Sequence, residues 1–171
     1  MGSRSARGCR GHRGYLGLTA ALTLFLCVLG SAAPAACSAD SITLRGDWGQ
    51  ARVSVEVADT PEARARGLMF VEEMPTLAGM LFVYPEPQPV SFWMRNTLIP
   101  LDMLFFDETG RLTRLHANAR PGDETAIPGG DAVQFVLEIN GGLAARLGIA
   151  EGDVMRHPAI GPDGAWPCPA D

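Results

Sequence analysis

Apolar and polar residues alternate along two segments of the chain with the period of a β-strand. Valines occupy every second position of residues 53–57, and residues 133–139 (VQFVLEI) repeat the pattern with larger side chains. Successive side chains of a strand point to opposite faces, so each segment predicts a strand with one buried face. We expect Gln134 and Glu138 to lie on the exposed face of the second strand.

Short apolar runs bounded by proline or by turn residues predict further strands. The turn at residues 107–110 (DETG) closes a hairpin between two of them. About eight short strands follow one another at close spacing, as in β-sandwiches and barrels. The predicted strands cover residues 41–44, 51–57, 80–84, 90–94, 101–106, 111–116, 133–139 and 153–156.

Two short helices interrupt the strands. Thr60 supplies a capping hydroxyl before Pro61 at the first helical position, and Gly67 fits the end of that helix. Asn140 is the predicted cap of a second helix that ends at Gly148. A doubly wound α/β sheet would need longer helices between its strands. The pattern therefore predicts a mainly β fold with a minor α+β part: a single compact sandwich or barrel, jelly-roll-like, with two short helices.

The first 36 residues have the organisation of a signal peptide. Four arginines before residue 15 precede an apolar run at residues 15–29, and small residues follow. The run is short for a membrane span. We expect cleavage between about residues 34 and 40 and export to the periplasm or the extracellular space. An uncleaved membrane anchor and a lipid anchor at Cys37 stay open as alternatives.

Removal of this leader leaves a single β domain over residues 40–157, followed by an irregular tail over residues 158–171. It also changes the charge balance. The chain has 14 arginines and no lysine, and after the leader 10 arginines face 19 acidic residues. This acidic excess disfavours nucleic acid and anionic lipid, because their phosphates would be repelled. We expect contact with a membrane only through the leader.

Two cysteines, Cys37 and Cys168, lie after the apolar run, one near each end of the predicted mature chain. In an oxidising compartment they could form a disulfide. The alternative is that Cys37 leaves with the leader and Cys168 is an incidental thiol. Metal-type spacings and nucleophile motifs such as CxxC, HExxH and GxSxG are absent from the sequence. We predict no cofactor and no metal site.

A series of ordered fragments resembles a known family. The fragments are residues 66–69 (RGLM), 74–75 (MP), 79–83 (GMLFV), 92–97 (FWMRNT), 100–103 (PLDM), 136–139 (VLEI), 141–142 (GG), 147–149 (LGI) and 152–153 (GD). From residue 42 to residue 155 the chain is similar to the bacterial and archaeal domain-of-unknown-function family numbered 192. The resemblance implies a compact, mainly β, jelly-roll-like domain that is often exported. It implies no established activity.

Residues 91–102 (SFWMRNTLIPLD) combine aromatic, amide and carboxylate side chains. Aromatic surface beside a few polar groups is typical of sites for small polar ligands. Alternatively, Asn96 and Thr97 hydrogen-bond the backbone of a turn. The predicted binding residues are Arg66, Trp93, Asn96, Thr97, Asp102 and Glu138.

Asp102 enters an apolar strand, and a buried carboxylate needs a partner. An ion pair with Arg66 or Arg95 is the expected structural role. If Asp102 instead converged with Glu138, the two carboxyl groups could act as general acid and base.

The sequence predicts, on this basis, a non-enzymatic exported module of the cell envelope that binds a small polar ligand or an envelope protein. The first alternative is an envelope glycan hydrolase that uses Asp102 and Glu138. The second is a structural or assembly factor that acts through an exposed aromatic patch. The sequence predicts no particular oligomeric state.

Overall fold

The structure is a computed structural model that describes residues 37–169; the predicted leader, residues 1–36, lies outside them. Seven strands, two short α-helices and one turn of 3-10 helix form the described part of the chain. The elements are β1 (Ser41–Gly46), β2 (Gly49–Ala58), α1 (Pro61–Arg66), β3 (Ala78–Phe92), β4 (Leu101–Phe106), β5 (Leu112–Ala119), β6 (Ile127–Asn140), α2 (Leu143–Leu147), β7 (Val154–Arg156) and the 3-10 turn Pro158–Ile160.

The seven strands form one sheet in the order β5-β4-β6-β3-β2-β1-β7. Neighbouring strands are antiparallel except β2 and β3, which are parallel because α1 crosses between them. Backbone hydrogen bonds of 2.8 Å from Leu112 to Asp153 and from Met155 to Gly110 link the two edge strands at one end. The sheet therefore curls towards a barrel, which confirms the prediction of a compact, mainly β, barrel-like fold with two short helices.

The first helix and the longest strand follow from local sequence. The Thr60 hydroxyl accepts a hydrogen bond from the backbone N–H of Ala63 at 3.1 Å, and Gly67 ends α1 with φ 50°. The predicted strands at residues 80–84 and 90–94 are parts of one strand, β3. Its pairing with β6 shifts register between residues 83 and 91, where three prolines stand. Proline has no N–H for the ladder, so it is tolerated where regular pairing is interrupted.

The predicted cap of the second helix is wrong. Helix α2 begins after Gly142 in a left-handed conformation, with φ 77°, and no side chain of its own segment caps it. The Asn140 amide instead donates a hydrogen bond to the carbonyl oxygen of Pro75 at 2.9 Å. It thus fixes the segment before β3 rather than the helix.

Two apolar clusters lie on opposite faces of the central strands. The first core takes residues from all seven strands and from α2, among them Leu104, Phe106 and Leu137. The second core contains Met103, Phe105 and other residues of β3, β4 and β6. Residues 67–77 and 93–100 cover the second core, contributing side chains such as Leu68 and Met94 to it. Both faces of β4 and of residues 135–139 of β6 are consequently buried.

The two ends of the described chain are joined. Cys37 and Cys168 form a disulfide, with their Cα atoms 5.8 Å apart. The guanidinium groups of Arg45 and Arg156 lie 4.1 and 4.3 Å from the centre of the Trp166 ring. The tail after β7 is thus held against the sheet. Within residues 37–169, neither helix has the length and apolar character needed to cross a bilayer.

Candidate functional site

A cavity of about 300 Å³ opens beside α1 on the second-core face of the sheet. It takes its walls from α1 and the following turn, from β3, from the segment after β3 and from β6. We call it the Glu138 cavity. Its lining residues are Arg64, Ala65, Arg66, Gly67, Leu68, Met69, Phe82, Tyr84, Ser91, Phe92, Trp93, Thr97 and Glu138. A larger surface hollow of about 520 Å³, beside β2, is lined by no buried ionisable side chain.

Glu138 lies near the C-terminal end of β6, between Met80 of β3 and Met103 of β4. Its side chain therefore points to the second-core face, where only 4% of the residue is exposed. The prediction that this face of the strand is exposed is wrong, because residues 67–77 and 93–100 cover it. The alternation of β6 is as predicted, but the face that carries Glu138 is buried.

Burial raises the pKa of the Glu138 carboxyl from its ordinary 4.5 to about 8, because desolvation disfavours the charged form. The carboxyl is therefore protonated at neutral pH. A protonated carboxyl has one O–H to donate and retains capacity to accept. Glu138 thus gives the cavity a neutral, two-way hydrogen-bonding group.

Two cations of α1 border the cavity. The Nη1 of Arg64 donates hydrogen bonds to the carbonyl oxygens of Asp59 at 2.6 Å and Val83 at 2.9 Å. Its guanidinium also stacks 5.0 Å from the centre of the Tyr84 ring. Arg66 lies in the last turn of α1 and is exposed. Arg64 therefore holds α1 against β3, while Arg66 lines the cavity from the exposed end of α1.

Tyr84 is half-buried in the cavity wall. Burial raises the pKa of its phenol, the nearby positive charge of Arg64 opposes that rise, and Glu138 adds to it. The ordinary pKa of tyrosine is already near 10. The phenol is accordingly neutral at physiological pH and contributes a ring and a hydroxyl to the cavity.

Trp93 and Thr97 complete the wall from the segment that follows β3. Trp93 is 47% exposed, and the guanidinium of Arg95 lies 5.7 Å from its ring. Thr97 is buried; its hydroxyl donates to the carbonyl oxygen of Arg95 at 3.4 Å, and its N–H donates to that of Met94 at 3.1 Å. Thr97 therefore holds a turn, as the alternative interpretation expected, and also lines the cavity.

Asn96 does not line the cavity. It adopts φ 55°, in the left-handed region, and its side-chain amide approaches the sulfur of Met69 at 3.9 Å. The backbone carbonyl oxygen of Asn96 accepts a 2.8 Å hydrogen bond from the N–H of Phe70. Phe70 also has a positive φ, of 65°. Asn96 thus connects the two segments that cover the second core.

Asp102 is fully buried, and backbone N–H groups surround its carboxylate. One carboxylate oxygen accepts hydrogen bonds from the backbone N–H groups of Asn118 at 2.7 Å and Gly142 at 2.9 Å. The other oxygen accepts from the N–H of Ala144 in α2 at 2.8 Å. The expected ion pair with Arg66 or Arg95 is therefore wrong, because backbone amides satisfy this carboxylate.

The strand register separates the two carboxyl groups. Asp102 pairs with Ile139, and the adjacent Met103 pairs with Glu138. Paired residues share a face and adjacent residues point to opposite faces. Asp102 and Glu138 therefore lie on opposite sides of the sheet, and the structure does not bring them together as a general acid and base.

Of the six predicted site residues, Arg66, Trp93, Thr97 and Glu138 line one cavity, while Asn96 and Asp102 do not. The sequence interpretation missed Arg64 and Tyr84. Their meeting depends on the crossing of α1 over β3, and no spacing in the sequence signals it. Within residues 37–169, no three His, Cys, Asp or Glu side chains gather as metal ligands would.

Comparison with known proteins supports the family resemblance. Residues 42–157 match the family model DUF192, described as "Uncharacterized ACR". Two crystal structures are similar. A protein of unknown function from Novosphingobium aromaticivorans is 45% identical, with a TM-score of 0.66 over 67% of this chain and 82% of that one. A candidate transcription regulator from Sinorhizobium meliloti is 37% identical, with a TM-score of 0.67 over 72% of this chain and 96% of that one. No curated protein matches the chain.

Proposed function

The chain belongs to the DUF192 family, and we propose that it is an exported, non-enzymatic module of the cell envelope that binds a small ligand in the Glu138 cavity. One observation carries the proposal. A carboxyl group stands on the buried face of β6, at the wall of a cavity that also presents aromatic and cationic side chains. This combination is the one expected of small-molecule sites.

Glu138 stands in an apolar part of the fold. A glutamate among Met80, Met103 and the aromatic residues of the second core loses most of its hydration, which costs stability. No side-chain oxygen in the described part of the chain is fully enclosed without a hydrogen-bonding partner, so the Glu138 carboxyl is open to the cavity. Burial alone accounts for its raised pKa, without a hydrogen bond or a charge that opposes the shift. A ligand that hydrogen-bonds the carboxyl would supply the partner.

Binding is better supported than hydrolysis. A glycosidase needs two carboxyl groups that flank the scissile bond. The cavity contains Glu138, while Asp102 accepts hydrogen bonds from three backbone amides on the other side of the sheet. The remaining ionisable lining groups are Arg64, Arg66 and Tyr84, so the cavity has one carboxyl group where the usual glycosidase mechanism needs two.

Two features support export. The basic, apolar and small-residue segments before residue 37 follow one another in the order of a signal peptide. The disulfide between Cys37 and Cys168 is of a kind that persists in oxidising compartments. The candidate regulator from S. meliloti suggests nucleic acid as a ligand. From residue 37 onwards, however, 10 arginines against 19 acidic residues oppose phosphate binding.

The test is a binding screen with a blocked cavity. Small acids, amines, sugars and peptides are screened against the purified protein by ligand-observed NMR. Ala65 is exposed on α1 and lines the cavity, so Ala65→Trp should obstruct it without disturbing the core. Ala145→Trp, at an exposed position of α2, is the matched control. We expect at least one ligand whose binding A65W abolishes and A145W preserves.

Absence of any ligand that responds to A65W would overturn the proposal. It would favour the assembly role, for which the exposed side chains of Phe70, Trp93 and Leu98 provide a surface. Phe70 gives that alternative a specific basis, because a bulky residue rarely adopts a positive φ and here it does so while 66% exposed.

A further inference from the structure

The charge of the Glu138 cavity is opposite to that of the domain around it. Its charged or ionisable lining residues are Arg64, Arg66, Tyr84 and Glu138. Glu138 is neutral at pH 7 because burial raises its pKa to about 8, and Tyr84 is neutral because its pKa is raised from an ordinary value that is already 10.0. The lining therefore has two positive charges and no negative one, in a chain where acidic residues outnumber arginines after the leader. Such a local reversal of sign attracts an anion.

The walls of the cavity are aromatic. Phe82 and Phe92 meet edge to face, with ring centres 5.0 Å apart, and Tyr84 and Trp93 add two further rings. Rings in such arrangements pack well against a flat apolar body. A volume of about 300 Å³ is at the lower end of ligand cavities. The space suits a body about the size of one aromatic ring.

The two arginines have different environments. Nη1 of Arg64 is already bonded to two carbonyl oxygens, and its guanidinium faces Tyr84. Arg66 is exposed at the cavity edge, at the end of α1. A guanidinium in that position can bind a carboxylate through two parallel N–H groups.

We propose that the Glu138 cavity binds a small aromatic carboxylate, whose ring lies among Phe82, Tyr84, Phe92 and Trp93 and whose carboxylate pairs with Arg66. This inference rests on the proposed function, since it names the ligand class of the same cavity. Glu138 donates a hydrogen bond to an oxygen of the ligand and, being neutral, does not repel it.

The experiment compares three probes that share a ring and differ in charge. Benzoate, benzamide and benzylamine are titrated into the purified protein by calorimetry at pH 7. Because the cavity lining is cationic, we expect benzoate to bind at least about tenfold more tightly than benzamide, and benzylamine more weakly still. Arg66→Gln should weaken benzoate about tenfold and leave benzamide within about twofold. Arg146→Gln, which removes an equivalent charge from the last turn of α2, should change neither.

The pH dependence of benzoate affinity provides a second test. The groups that face the ligand are Arg64 and Arg66 from α1, Tyr84 from β3 and Glu138 from β6. Above pH 8 Glu138 ionises and opposes the carboxylate. Benzoate affinity should therefore fall above pH 8 in the native protein, and Glu138→Gln should abolish that fall while preserving a hydrogen-bond donor.

The outcomes separate the two proposals. If benzamide or benzylamine binds best and A65W abolishes that binding, the carboxylate inference is wrong and the ligand-binding function stands. If R66Q weakens benzoate and benzamide equally, the pairing with Arg66 is wrong. If no small molecule of any charge binds in a way that A65W abolishes, both proposals fail.

Discussion

At the scale of single residues, the most informative side chain is Glu138. It lies on β6, and its neighbours on the two adjacent strands are Met80 of β3 and Met103 of β4. The same burial that makes the group available to a ligand in neutral form also makes it a cost to folding whenever it ionises. Stability and binding are therefore coupled through one carboxyl group.

This coupling predicts a pH dependence of stability that Glu138→Gln removes. The folded pKa is about 8 and the ordinary value is 4.5, so between these pH values only the unfolded state has lost the proton. The free energy of unfolding should then fall as pH rises, by at most about 1.4 kcal/mol per pH unit from this group. Urea denaturation from pH 5 to pH 9 should show this decline in the native protein relative to E138Q.

Burial lowers the pKa of His157, so this group also contributes to the pH dependence of stability. It is present in both proteins, so its contribution cancels in the difference between them. A difference between native protein and E138Q that is constant from pH 5 to pH 9 would contradict the assignment of a buried, protonated glutamic acid.

At the scale of elements, Asp102 joins three parts of the fold. From β4 its carboxylate holds the N–H of Asn118 in β5, that of Gly142 and that of Ala144 in α2. Helix α2 has no capping side chain of its own. Asp102, about forty positions earlier in the chain, thus caps α2.

The structural role of Asp102 predicts a large loss of stability in Asp102→Asn. Asparagine has one carbonyl oxygen, which can accept hydrogen bonds as before. Its NH2 group would replace the other oxygen and face a backbone N–H. Because both groups are donors, at least one buried hydrogen bond is lost. We expect the free energy of unfolding to fall by about 3 kcal/mol.

Asp107 also accepts hydrogen bonds from backbone N–H groups, but in a partly exposed turn. Asp107→Asn should cost less than about 1 kcal/mol. Equal losses in both variants, measured by urea denaturation, would contradict the argument.

Elements whose signals are local could be predicted from the sequence. Helix α1 has its cap, proline and glycine within eight residues, and β6 shows the period of a strand over residues 133–139. The burial of Glu138 could not be predicted, because it depends on residues 67–77 and 93–100 folding over a face that looks polar in β6 alone. The partners of Asp102 were equally hidden, since backbone amides have no signature in a sequence. The candidate site was therefore predicted in part: Arg66, Trp93, Thr97 and Glu138 were found, but not Arg64, Tyr84 or the contact between them.

At the scale of the whole molecule, the disulfide connects the ends of the described domain. Cys37 and Cys168 are 131 positions apart, so their bond restricts nearly the whole unfolded chain. By loop-closure entropy, reduction should lower the free energy of unfolding by about 3–5 kcal/mol. Urea denaturation with and without a reductant measures the loss. A Cys37→Ser/Cys168→Ser double variant, which should match the reduced protein and not respond to the reductant, is the control.

The same bond constrains the proposed export. Cys37 can pair with Cys168 in the mature protein only if the leader is cleaved before residue 37, in the first part of the expected range of about 34–40. We therefore expect the protein isolated from the envelope to begin between residues 34 and 37 and to lack free thiols. Intact-mass spectrometry after alkylation under non-reducing conditions measures both properties at once. A mature protein that begins after Cys37, or one with an intact leader and alkylated cysteines, would contradict the link between export and the disulfide.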